Sequence, residues 1–240
     1  MLSRTVFIIP VYNHAGSIGA IIEKLHAFQR PVYVIDDGST DNTAKILDQL
    51  NGVNNIRHPS NQGKGRALMT GFAAASLVAD WAITLDADGQ HDPADALNLL
   101  KAVKDCERSI VIGKRTHMLQ KGAPWTSRWG RRFSNFWVWT CSGLKLSDTQ
   151  SGFRLYPLPE ALMMNARGKR FQFEVEILVL AAWTGIPVRE AEVSTQYRFI
   201  GHRVSHFRPV MDFWRNTLTF SRLLVLRLFT SKRFRATGMK

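Results

Sequence analysis

The sequence predicts an α/β protein built on a doubly wound, mostly parallel sheet, with an amphipathic helix near its C-terminus. Short β-branched runs alternate with segments of helical periodicity through the first half of the chain. Polar clusters follow the apolar runs, which is where such sheets bind ligands. The last apolar segment repeats at helical spacing and runs into a basic tail. With 240 residues, 45% hydrophobic and 21% charged, the composition excludes disorder and collagen-like repeats, and two cysteines exclude a disulfide scaffold. Cys106 and Cys141 have no metal-ligand spacing and suit a reducing compartment. No secretory leader is expected at the N-terminus.

The elements follow in order. Val6–Ile9 reads as a strand, and Ser17–Phe28 as a helix with apolar residues at 18, 21, 22 and 25. Val32–Ile35 is the second strand, followed by a helix over Thr40–Leu50 with Thr40 or Asp41 as its cap. A short strand near Asn55–His58, a helix over 65–79 and a strand over Trp81–Leu85 come next. A helix over Pro93–Asp105 leads to a strand at Ile110–Ile112. After about Lys114 the alternation fades into a stretch rich in Trp, Arg and Ser, then a turn-rich polar stretch, Asp148–Arg154. A helix over Phe173–Thr184 and an edge strand over Val188–Val193 complete the domain. From Val210 to about Phe229 the apolar face comprises 210, 213, 214, 217, 220, 221, 224, 225 and 228, with Leu223 and Leu226 as exceptions on the polar side. That helix either packs on the domain or lies in a membrane interface.

Charge is uneven. The 32 Lys+Arg exceed the 19 Asp+Glu to give a net charge of +13, and ten of those cations fall from Arg198 onward against one acid, Asp212. Such a surface attracts nucleic acid, anionic lipid or phosphorylated substrates. No uninterrupted apolar run reaches the roughly 18 to 20 residues of a spanning helix.

The chemistry-bearing clusters sit after predicted strands. Asp86-Ala87-Asp88-Gly89-Gln90 places two carboxylates where the chain can turn and bring them together. Their mutual repulsion favours a hard divalent cation, Mg²⁺ or Mn²⁺, with Gln90 as a neutral third ligand to a site that also takes diphosphate oxygens. Asp36-Asp37-Gly38-Ser39 offers acids to a ribose or base. Asn61-Gln62-Gly63-Lys64-Gly65 sets glycines around a lysine at a helix start, an arrangement suited to an anion. No dinucleotide fingerprint follows the first strand, which argues against a nicotinamide enzyme.

Five motifs occur in an informative order: Pro10-Val11-Tyr12-Asn13, Asp36–Asp41, Asn61–Gly65, Asp86–His91 and Ser151-Gly152-Phe153-Arg154. Over roughly residues 5–205 the chain resembles family-2 glycosyltransferases of the GT-A fold, and within them the dolichyl-phosphate mannose synthase and polyprenyl-phosphate glycosyltransferase branch. His14 is a departure, since the family usually has an acid there. The resemblance implies that Pro10, Tyr12, Asn13 and Asp37 hold the nucleoside of a sugar nucleotide, with Lys64 nearby. It implies that Asp86, Asp88 and Gln90 hold the metal and diphosphate, Asp88 acting in catalysis, and that Arg198 and Arg203 close over the donor. Transfer would invert the anomeric carbon.

A polyprenyl-phosphate acceptor is already an anionic nucleophile and needs positioning by cations. Lys114, Arg115, Arg128, Arg131, Ser134, Ser151 and Arg154 are the candidates, Arg131 and Arg154 foremost. A hydroxyl acceptor would instead need a carboxylate base, with Asp148 first and Glu174 second. Aromatic residues from Phe133 to Trp139 read as core, or as an interfacial belt where a lipid tail enters. The expected organisation is a transferase domain over 1–205 and a basic amphipathic helix and tail over 206–240. The expected setting is the cytoplasmic face of the plasma membrane, bound peripherally to anionic lipid, without nucleic acid as a partner. A basic nucleic-acid-binding protein is the alternative of another class, although Leu223–Leu226 is unlike a base-stacking platform.

Overall fold

The computed structural model describes residues 4–103, 107–115, 125–195 and 217–227. Seven strands form one sheet: β1 (Thr5–Val11), β2 (Val32–Asp36), β3 (Val53–Arg57), β4 (Trp81–Thr84), β5 (Ile110–Arg115), β6 (Arg154–Pro157) and β7 (Val188–Val193). Their order is β3-β2-β1-β4-β6-β5-β7, parallel except for β6, which runs antiparallel to both β4 and β5. The chain winds outward from β1 through β2 to β3, then returns to place β4 on the other side of β1. Such a reversal leaves a crevice at the carboxyl ends of β1 and β4.

Helices cover both faces. They are α1 (Ile18–His26), α2 (Thr43–Gln49), α3 (Lys64–Ala75), α4 (Ala96–Lys101), α5 (Trp125–Ser142), α6 (Glu160–Met163) and α7 (Gln172–Trp183), with a 3₁₀ turn at Pro93–Asp95. All seven residues of β1 are buried, as a central parallel strand requires. Its side chains alternate in allegiance. Val6 and Ile8 join a core with Phe72 of α3 and Ile177 of α7, while Phe7, Ile9 and Val11 join a core with Ile22 of α1 and Leu99 of α4.

The predicted alternation up to β5 matches the structure within a few residues. Besides the short α6, two elements were not expected. The segment read as Trp-, Arg- and Ser-rich contains the 18-residue helix α5, and the polar stretch ending at Arg154 leads directly into β6. In α5 the exposed Phe136 and Trp139 blur the apolar stripe that Phe133, Trp137 and the buried Val138 and Cys141 make. In β6 a buried arginine opens a four-residue strand, contrary to what burial statistics favour.

Residues 217–227 are helical. Phe220 stacks on Trp137 at 5.7 Å and meets Phe133 edge-on at 6.3 Å; Leu223 is fully buried. Arg222 pairs with buried Glu176, and Arg227 donates to the Thr140 carbonyl. The helix therefore packs on α5 and α7. Its expected face needs rotation: Leu223, assigned to the polar side, is core, whereas Val225, assigned to the apolar side, is exposed beside exposed Leu218 and Leu226. Among the described residues no helix is long and apolar enough to cross a membrane.

Candidate active site

The turns after β1, β2 and β4 are stitched into one surface. Asn13 adopts a left-handed backbone (φ 56°), which aims its side chain at the next turn. Its Oδ1 accepts from the Thr40 N–H at 2.7 Å, and its own N–H donates to Ser39 Oγ at 3.0 Å. The Ser17 hydroxyl donates to the Ala87 carbonyl, tying the start of α1 to the turn after β4. Pro10 lies buried inside β1 opposite Ile35, while Tyr12 and Asn13 are half-buried at its end.

Asp37 requires a correction. It was expected to face a nucleoside, but it is buried, accepting from the Gln62 N–H at 2.9 Å and the Gly63 N–H at 2.7 Å. Its Oδ1 also lies 2.8 Å from His58 Nδ1, and His58 Nε2 meets Thr70 Oγ1 at 3.0 Å. Asp37 thus shapes the loop before α3 from below.

The start of α3 is not an open anion site either. The N–H groups of Gly65 and Arg66 donate to the Lys169 carbonyl at 2.9 and 3.3 Å, which satisfies two of the donors a helix leaves free. A Cβ on Gly63 would overlap the Lys169 carbonyl oxygen, and one on Gly65 the Gly168 carbonyl oxygen. The two glycines exist for this close approach, and Gly63 also takes a left-handed φ of 99°. What reaches the site from this motif is Lys64.

Lys64 Nζ stands 2.6 Å from Asp86 Oδ1 and 2.7 Å from Glu174 Oε1. Burial would lower the Lys64 pKa, but Asp86 and Glu174 outweigh it and hold the ammonium above its ordinary range. Burial likewise pushes the Asp86 carboxyl up, and Lys64 more than reverses that. Gly152 completes the cluster: a Cβ there would overlap both Asp86 Oδ2 and Lys64 Nζ. The Ser-Gly-Phe-Arg motif is therefore in contact with the Asp-Ala-Asp motif through the one residue without a side chain.

Arg154 is the second correction. Expected at the acceptor phosphate, it is fully buried. It donates to the carbonyls of Ser151 (2.7 Å), Thr149 (2.8 Å) and Glu174 (2.8 Å), and pairs with Glu174 Oε2 at 3.0 Å. It is the internal strut of the turn that carries Gly152. Glu174, 3% exposed in its side chain, lies between Lys64 and Arg154 and cannot serve as a base to a substrate. Ser151 and Ser134 are also buried, with Ser134 Oγ accepting from Gln150 at 2.8 Å, so neither presents a free hydroxyl.

Asp148, the candidate base, also needs correction. It is buried and receives Arg115 Nε at 2.6 Å and Nη2 at 2.8 Å. Burial raises its carboxyl pKa, and Arg115, with Arg131 adding to it, drives it below the ordinary range. An acid so held is a weak proton acceptor. Its role is to aim Arg115, while Glu190 Oε1 accepts the N–H groups of Ser147 and Asp148 and fixes the turn. Arg131 is half-buried on α5. Lys114 pairs with Glu192 at 3.4 Å. The side chain of Arg128, and Arg198 and Arg203 with their loop, lie outside the described residues.

Asp88 is exposed, its Oδ1 accepting from the Gln90 N–H at 3.0 Å across the turn that Gly89 makes with φ 71°. Among the described residues no three acidic, His or Cys side chains form a metal cluster. Asp86 and Asp88, on the turn after β4, are hard oxygen donors of the kind that Mg²⁺ or Mn²⁺ takes alongside substrate phosphates. His91 is no ligand of that kind: it is buried against Phe153 at 5.2 Å, and burial lowers its imidazole to about 4.

Sequence reasoning missed His58, Glu190 and the Gly168–Arg170 loop. Only the paired glycines around Lys64 hinted at the last.

A model of glycosyl transferase family 2 matches residues 6–159. The UDP-N-acetylglucosamine–dolichyl-phosphate N-acetylglucosaminyltransferase of Methanococcus voltae is 32% identical over 213 residues, covering 79% of this chain and 84% of that protein. The polyprenol monophosphomannose synthase of Mycolicibacterium smegmatis is 28% identical over 222 residues, covering 82% and 79%. Among solved structures, residues 1–349 of S. aureus TarS align with a TM-score of 0.50 at 17% identity, covering 81% of this chain and 58% of that one. At that identity the likeness is one of fold.

Proposed function

The chain belongs to glycosyl transferase family 2 and is a glycosyltransferase, and from that premise we propose that it moves a sugar from a nucleotide-sugar donor to the phosphate of a polyprenyl phosphate, with inversion. The observation that carries the proposal is the meeting of Lys64, Asp86 and Gly152 at the edge where Asn13 and Ser39 also gather. One crevice then serves nucleoside, diphosphate and sugar. The acceptor is taken from two relatives, one named for dolichyl phosphate and one for polyprenol monophosphomannose.

In this reading Tyr12 and Asn13 border the nucleoside, and Lys64 neutralises the diphosphate side of the crevice. Asp86 and Asp88, with Gln90, would hold Mg²⁺ or Mn²⁺, which when bound supplies positive charge for the departing nucleoside diphosphate. Arg115, aimed by Asp148, and Arg131 position the acceptor phosphate. That oxygen is anionic at neutral pH and attacks without a base, in keeping with a structure in which both candidate bases are sealed.

Residues 206–240 serve as the membrane-surface element. Leu218, Val225 and Leu226 are exposed on the C-terminal helix, as are Phe136 and Trp139 on α5, against which it packs. The cations concentrated from Arg198 onward favour an anionic leaflet, which supports a peripheral position at the cytoplasmic face.

The test is a panel of nucleotide sugars incubated with the full chain, with and without polyprenyl phosphate, and with EDTA. Sugar appearing on the lipid only with divalent metal is expected. Transfer to a glycan hydroxyl but not to lipid phosphate would overturn the acceptor.

A further inference from the structure

Four charged side chains form an alternating chain under the donor site: Asp86, Lys64, Glu174 and Arg154. The spacings are 2.6 Å, 2.7 Å and 3.0 Å. Arg154 is sealed at one end, whereas Asp86 at the other is 29% exposed in its side chain and opens to the crevice. Three separate elements deliver the first three groups: Asp86 follows β4, Lys64 opens α3, and Glu174 lies in the first turn of α7. The backbone of Gly152 closes the far side, where any side chain would overlap Asp86 and Lys64. Each oxygen of Glu174 faces a different cation, Oε1 toward Lys64 and Oε2 toward Arg154. An anion so deeply buried is costly unless the surrounding cations are fixed.

We propose that Glu174 is a positioning residue of the donor site: acting through Lys64, it fixes the Asp86 carboxylate in the orientation that receives the divalent cation. The inference rests on Asp86 as a ligand of the metal–diphosphate site. Glu174 gives Lys64 a second partner, so the ammonium is shared and does not lean wholly on the carboxylate that the ion needs. Without that charge, Lys64 has only Asp86 to neutralise it, and the crevice becomes more positive. Loss of such outer-shell partners changes metal affinity by about 10- to 100-fold. Were Glu174 only a counter-ion for Arg154, its loss would lower stability and leave the metal affinity of the folded chain unchanged.

Mn²⁺ binding to the full chain, followed by electron paramagnetic resonance with the ion alone and with UDP or GDP, tests this. Glu174→Gln is expected to bind Mn²⁺ about tenfold more weakly. In a Lys64→Met background the same substitution is expected to change affinity by less than about twofold, because the path is cut. Wild-type affinity in folded Glu174→Gln, or equal weakening in both backgrounds, overturns the proposal. If Glu174→Gln does not fold, Gly152→Ala disturbs the same geometry from the other side, crowding Lys64 Nζ and the Asp86 carboxylate. It is expected to weaken Mn²⁺ binding, and undiminished binding overturns the proposal. Asp86→Asn separates the two levels. No binding by wild type, or undiminished binding by Asp86→Asn, removes the metal reading itself. Binding lost in Asp86→Asn but kept in Glu174→Gln overturns the positioning role alone.

Discussion

Arg115 grips Asp148 with Nε at 2.6 Å and Nη2 at 2.8 Å, and the acid behind it is fully buried. A guanidinium held at two points by a fixed anion is aimed, and an acid held by two donors stays ionised. The pair turns an expected base into the mount of Arg115, the cation proposed to meet the acceptor phosphate.

The pH dependence follows. Asp148 titrates below its ordinary carboxylate range when folded. Its stabilisation is therefore complete above about pH 3.9, the unfolded value, and is lost as pH falls through the depressed folded value. Initial rates between pH 5 and 8 are expected to carry no limb that Asp148→Asn removes. The substitution should instead raise KM for the lipid acceptor and cost about 3 kcal/mol in urea unfolding, as breaking a buried pair does. Disappearance of an acid limb in Asp148→Asn would restore it as a base.

Gly65→Ala places a methyl group against the Gly168 carbonyl oxygen and Phe173. Backbone cannot yield as a flexible side chain does, so overpacking should cost about 2 kcal/mol. The start of α3 should shift with it, raising KM for the nucleotide sugar through Lys64. Unchanged denaturation midpoint and KM would mean that the loop at 168–170 moves freely.

Phe220 joins the C-terminal helix to Phe133 and Trp137 and is 1% exposed. Phe220→Ala should lower unfolding free energy by about 3 kcal/mol through the cavity it leaves. A single calorimetric transition moved downward is the expected result. An unmoved main transition would show that this helix docks without joining the cooperative unit.

Replacing Leu218, Val225 and Leu226 together by Gln removes exposed apolar surface while leaving buried Phe220 and Leu223 in place. Flotation with anionic vesicles should fall several-fold, because interfacial binding scales with apolar area and charge. The melting temperature should stay within a degree or two, since exposed positions carry little stability. Flotation equal to wild type would remove this face from membrane contact.

The sequence by itself determined the order of elements through β5, the doubly wound class of the sheet and the sites where polar turns interrupt apolar runs. Those are local properties: strand and helix periods repeat every two and 3.6 residues, and Gly38, Gly63 and Gly89 mark turns with φ near +74°, +99° and +71°. Only the tertiary structure decided which polar groups were already occupied. Asp37 binds the loop before α3 across 25 and 26 residues, Asp148 holds Arg115 across 33, and Arg154 braces the turn at Gly152 while reaching Glu174 across 20. A buried charge takes whatever partner the packing brings within about 3 Å, and that partner is fixed by strand order and helix approach, which no run of neighbouring residues encodes.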